Sequence, residues 1–118
     1  MKAILINTNE WKVEEVDLQT KEDGQVKIEE ISRYVQCDYF DVARIGNGDG
    51  IFVDDNGLNR TGVVPCFQHK DYPQPLAGNG LVLGCDASGN SVPPKTTLQE
   101  VTDFVQFGMM GLDPETYN

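Results

Sequence analysis

Apolar positions along the chain fall into short blocks whose period changes several times. Residues 2–7 carry the run Ala3-Ile4-Leu5-Ile6, which reads as a buried strand. Residues 11–18 alternate, but with a change of phase. Trp11 and Val13 share one face, whereas Val16 and Leu18 have the other parity. Either the two halves bury opposite faces or a bulge sits near Glu14-Glu15. Asn7-Thr8-Asn9 then reads as the turn of an N-terminal hairpin. From Gln25 to Gln36 the period becomes helical, with Ile28, Ile31 and Val35 on one stripe.

Strands are expected at 38–45 and 51–53, separated by the turn cluster Gly46-Asn47-Gly48-Asp49-Gly50 and ended by Asp54-Asp55-Asn56-Gly57. Residues 59–80 are the least regular stretch, with Pro65, Pro73 and Pro75. Leu81-Val82-Leu83 reads as a buried strand running to Cys85. It is followed by the turn Asp86–Asn90 and a short return at Ser91-Val92. Thr97-x-x-Glu100 ahead of an apolar run is a capping box. Leu98, Val101, Phe104 and Val105 predict a helix from 97 to about 107. Residues 107–118 show no period and are expected to be a frayed tail.

The expected fold is therefore a single α+β domain over residues 1–118. It has a mostly antiparallel sheet of about five strands, two helices on one face of it, and the order β-β-α-β-β-β-α. The stretch Met1–Asn7 is too short for a signal peptide. No apolar run approaches the ~18 residues that a membrane span requires.

Nineteen acidic residues against nine basic ones give a net charge of −10. That balance disfavours direct binding to nucleic acid and leaves the acidic surface as either a solubility device or an interface. Three cysteines at 37, 66 and 85, with no Cys-x-x-Cys, point to reduced thiols and a cytoplasmic protein. Cys37 and Cys85 read as small core residues. Cys66 and His69 form a Cys-x-x-His pair, but zinc needs about four such ligands, so no metal and no cofactor is expected. Gly46-x-Gly48-x-Gly50 precedes a strand and lacks the Lys-Ser/Thr ending of a phosphate loop. Asp49, Asp54 and Asp55 do not follow the calcium-loop spacing and read as solvated turn acids.

Two blocks carry a resemblance. One is Phe40-Asp41-Val42-Ala43-Arg44-Ile45 with Gly50 to Gly57, followed by Asn59-Arg60. The other is Pro75-Leu76-Ala77-Gly78-Asn79-Gly80-Leu81-Val82-Leu83-Gly84. Together they resemble the domain of unknown function 3846 family, short proteins of phages, bacteria and mobile elements. The likeness extends over residues 1–106. The chain departs from the family layout in its longer segment between Arg60 and Gly78. The resemblance implies an accessory gene of a virus or mobile element and no assigned activity.

The residues expected to contact a ligand are Asn59, Arg60, His69, Tyr72 and Asn79. Arginine suits bidentate capture of phosphate or carboxylate. Its plain alternative is a surface ion pair with Asp54 or Asp55. Tyr72 reads as the exposed aromatic and Trp11 as a core residue. The segment 59–80 is either functional or an edge strand at Val63-Val64 followed by a Pro-rich loop.

Three functions remain open on the sequence. The first is a non-enzymatic counter-defence protein that sequesters a small nucleotide-derived immune signal, with a pocket formed in a homo-oligomer. The second is an acidic inhibitor of a host defence protein that imitates DNA charge, using acids 100, 103, 113 and 115. The third is a small-metabolite enzyme, for which only the lone His69 speaks.

Overall fold

A computed structural model describes residues 1–57 and 62–112. The chain forms one α+β domain, with nine strands and two helices among the described residues. Among the described residues no helix is long and apolar enough to cross a membrane.

Strand β1 (Lys2–Asn7) pairs antiparallel with β2 (Lys12–Asp17), in an unbroken register from Lys2↔Asp17 to Asn7↔Lys12. There is no bulge, so the phase change in β2 means that its two halves bury opposite faces. Val13 lies opposite Ile6 and joins one apolar cluster, whereas Val16 lies opposite Ala3 and joins the other.

The main sheet has the path β2-β1-β7-β4-β3, with β8 attached to β7. Here β3 is Phe40–Arg44, β4 is Gly50–Asp54, β7 is Gly80–Cys85 and β8 is Ser91–Val92. Central strands β1 and β7 are covered on both sides, which is why they read as continuous apolar runs. Ile4, Ile6 and Val82 face one way; Ala3, Leu5, Leu81 and Leu83 face the other. Ile6, Leu81 and Val82 are completely buried, and each contributes roughly 1.5–3 kcal/mol by leaving water.

Helix α1 (Ile28–Val35) covers the Leu81/Leu83 face through Ile31 and Val35. Ile28, expected on that stripe, is exposed. The helix starts three residues later than its period suggests, because Val26 pairs with Thr20 in an isolated bridge. Helix α2 (Leu98–Phe104) carries the expected capping box between Thr97 and Glu100. Its Val101 lies in the Ile4/Ile6/Val82 cluster. Both helices thus pack on the same sheet, but on opposite faces rather than one.

A second sheet, β6-β5-β9, completes the α2 side. Strand β5 (Gly62–His69) and β6 (Leu76–Ala77) occupy much of the stretch expected to be irregular. Pro65 does not prevent the strand. Its carbonyl accepts from Gly78 N, just beyond the end of β6, so its nitrogen faces the same way, past that ladder. Strand β9 (Val105–Leu112) replaces the end of the expected helix and the start of the expected tail. It pairs with β5 along its whole length, from Gly62↔Leu112 to His69↔Val105. Residues 113–118 of that tail lie outside the described residues.

Two buried polar residues tie the layers together. Asp49, expected as a solvated turn acid, is fully buried and accepts from Lys95 N, Thr96 N and Thr96 Oγ1. Asn79 accepts from Thr8 N and Thr8 Oγ1, and donates to the carbonyl of Tyr34.

Candidate functional site

The sequence places its chemistry on the connection from β5 to β6, and the structure holds that connection firmly. Lys70 N donates to Phe104 O, and Tyr72 N donates to His69 O. Asp71 N donates to His69 Nδ1 at 3.1 Å, while Asp71 Oδ2 accepts from Gly46 N. Three consecutive residues are therefore pinned to α2, to β5 and to the 46–50 turn.

His69 is the last residue of β5 and only 1% exposed. Its ring meets the Phe104 ring edge-on, with centroids 5.8 Å apart. Burial pushes its pKa below the usual imidazole value; nearby Asp71 pulls it back up and Lys70 adds to the lowering. The ring is accordingly neutral at pH 7. Because Nδ1 accepts from Asp71, the proton of the neutral ring resides on Nε2. That Nε2 is buried and has no hydrogen-bond partner among the described residues. An unmet buried donor costs roughly 1–3 kcal/mol, so this atom is a standing demand for an acceptor.

His69 lines a cleft of about 350 Å³ together with Gln68, Lys70, Tyr72, Phe104 and Gln106. The Lys70 ammonium stands 3.9 Å from the centroid of the Phe104 ring, a cation–π contact that positions a positive charge at the cleft. Gln68 and Gln106 are directly opposite one another in the β5–β9 register. The wall thus offers a cation, two aromatic rings and two amides, together with the carboxylate of Asp103. Tyr72 also borders a second cleft of about 160 Å³, on the side of Asp41, Asp54 and Asp55.

The expected ligand residues separate. His69 and Tyr72 come together. Asn79 lines neither cleft, and both ends of its amide are engaged in joining Thr8 to Tyr34. Asn59 and Arg60 lie outside the described residues. Tyr72 is half-buried against the core instead of free, and among the described residues the exposed aromatics are Trp11 and Tyr39. Trp11 stacks on Phe107 at 6.1 Å rather than entering the core.

Cys66 and His69 are three apart on a strand and so face opposite sides of β5. They do not form a nucleophile–base pair. Burial also raises the Cys66 thiol pKa, away from the thiolate. Cys37 and Cys85 are only half-buried. Of the acidic group at the C-terminal side, Glu100 is engaged in the helix cap and Asp103 accepts from Gln99. Asp113 and Glu115 lie outside the described residues.

A family described as Domain of unknown function (DUF3846) matches residues 1–106. The chain belongs to the DUF3846 family. The matched span holds both helices, strands β1 to β8 and every DUF3846 residue named above as lining the His69 cleft. No curated protein and no solved structure matches this DUF3846 chain.

Phe104, Gln68 and Gln106 were not singled out by the sequence. Phe104 sits on the apolar stripe of a helix, and its role follows from the β5–β9 pairing, which brings the end of α2 beside His69. The two glutamines carry no local signal at all.

Proposed function

We propose that this chain is a non-enzymatic binding protein that sequesters a small nucleotide-derived ligand in the His69 cleft. One observation carries the reading: a buried imidazole N–H with no partner among the described residues, on a side chain that lines a cleft also presenting Lys70 and Tyr72. An acceptor on the ligand meets the His69 Nε2–H, the Lys70 ammonium neutralises a phosphate and Tyr72 offers a face to a base. Gln68 and Gln106 supply hydrogen bonds to the edge of that base. A cleft of about 350 Å³ is at the small end of ordinary ligand sites, which favours a mononucleotide or part of a larger signal. In a phage or mobile-element setting such capture removes an immune signal from its receptor, and the protein acts in the host cytoplasm.

Mass spectrometry of small molecules released from the purified, denatured protein tests the reading. It is paired with calorimetric titration of AMP, cyclic AMP, ADP-ribose and cyclic dinucleotides. One of these compounds, or a released nucleotide, should bind. Lys70→Ala should weaken that binding tenfold or more while preserving the melting temperature, and Tyr72→Leu, which keeps apolar bulk against the core, should weaken it as well. Absence of any released nucleotide, together with no heat from any of the four classes, would overturn it.

A further inference from the structure

The sheet edges of this protein are guarded unequally. Edge strand β2 carries Lys12, Glu14, Glu15 and Asp17 among its six residues, and edge strand β3 carries Asp41 and Arg44. Strands β6 and β8 have two residues each, with Pro75 before one and Pro93-Pro94 after the other. Charge, brevity and proline are the usual means of keeping an edge from pairing with another chain. Strand β9 has none of them along its own length; Asp113 and Pro114 follow its last residue in sequence. It is eight residues long, Val-Gln-Phe-Gly-Met-Met-Gly-Leu, ends its sheet, and has β5 as its one strand neighbour among the described residues.

The same ribbon exposes apolar side chains. Alternation puts Val63 and Pro65 on the face of β5 that holds Phe67, and Met109 on the face of β9 that holds Phe107. Val63 is 69% exposed and Met109 57%, and Trp11, stacked on Phe107, is 56% exposed. From Gly62 to Gln68 and from Val105 to Leu112 there is no charged residue, in a chain of net charge −10.

We propose that β9 is a homodimer edge, at which two copies of this chain pair β9 to β9, antiparallel about a two-fold axis. Charge selects the occupant. Two copies of a strongly acidic protein repel wherever their charged surfaces meet, and this uncharged ribbon is where they can approach without bringing like charges together. A basic partner would find nothing here to pair with. A strand that fits an uncharged, unguarded edge must itself be uncharged and free, and β9 of a second copy meets both conditions. The pairing is isologous and therefore closes at two copies. It extends the smaller sheet across the axis and brings Met109 beside the partner strand.

Sedimentation velocity across the micromolar range, at low and at high salt, tests this. The expected species has twice the 13.1 kDa chain mass, and it should tighten with salt as the residual repulsion is screened. Met109→Lys and Met109→Pro, at an exposed position whose backbone N–H points away from β5, should give monomers whose melting temperature matches that of the dilute parent protein. If one variant melts early, the other decides. Hydrogen exchange should show protection along β9 that rises with concentration in the parent protein and not in the variants. A monomer at all concentrations and both salts would overturn the proposal, as would a dimer that withstands both substitutions or weakens with salt.

Discussion

Asp49 and Thr96 lie 47 residues apart, and Thr96 donates to the same carboxylate oxygen, Oδ2, from both N (2.9 Å) and Oγ1 (2.6 Å). The other oxygen accepts from Lys95 N. One buried carboxylate therefore fixes the approach to α2 against the turn between β3 and β4. Replacing Asp49 by Ala leaves buried donors unmet, at roughly 1–3 kcal/mol for each. We expect Asp49→Ala to lose about 3 kcal/mol in urea unfolding, against a few tenths for the exposed Asp23→Ala. Equal losses in the two variants would refute the role assigned to Asp49.

The α2 side of the core rests on Val101, which is 0% exposed among Ile4, Ile6 and Val82. Val101→Asp buries an unpaired charge. The loss should be about 4 kcal/mol or more, enough to abolish cooperative thermal unfolding. A melting temperature close to that of the parent chain would mean that the core is wrongly assigned.

Gly80 stands where β7 crosses beneath the second sheet. A Cβ there would sit 2.7 Å from Phe67 Cζ and 2.8 Å from Ile51 Cγ2, and both rings and branches are held in a packed core. Gly80→Ala should therefore destabilise by about 1–3 kcal/mol through overpacking, despite the usual gain from removing a glycine. Chemical denaturation settles the sign.

His69 is the one histidine of the chain, and burial lowers its folded pKa from the ordinary value of 6.5. The unfolded chain takes up this proton first. Stability is thus fully present above pH 6.5 and declines as the pH falls below it towards the folded pKa. In His69→Asn, where the amide oxygen can still accept from Asp71 N, that slope should vanish. Melting curves between neutral and mildly acidic pH compare the two chains, and an identical slope in both would remove His69 as its source.

What could be read from the sequence was what short-range chemistry decides. The N-terminal hairpin, the turn at Gly46–Gly50, the Asp54–Gly57 turn and the Thr97–Glu100 capping box depend on neighbours within a few residues, and each is present. The second sheet was hidden because two of its three strands violate local rules. Pro65 reads as a breaker until the missing ladder on that side is known. Val105 fits the helical stripe of Leu98 and Val101 and equally the strand stripe of Phe107 and Met109. Only the pairing with β5 decides between them. The fate of Asp49 was invisible for the same reason, since its three donors come from residues 95 and 96. At the site, His69 and Tyr72 were legible as chemistry, but the unmet Nε2 and the place of Phe104 arise from tertiary packing.

Helix α2 passes into β9 without a connecting residue, since Val105 is at once the C-terminal cap of the helix and the first residue of the strand. This junction has no slack in reading frame. One added residue on the helical side would turn everything before it by about 100° and lift Val101 from its cluster. One added on the strand side would invert every later side chain, setting Gln106 where Phe107 now meets Trp11. Substitutions can accumulate along this stretch, but insertions and deletions of a single residue cannot, and length variation within such proteins must be absorbed in the turns on either side.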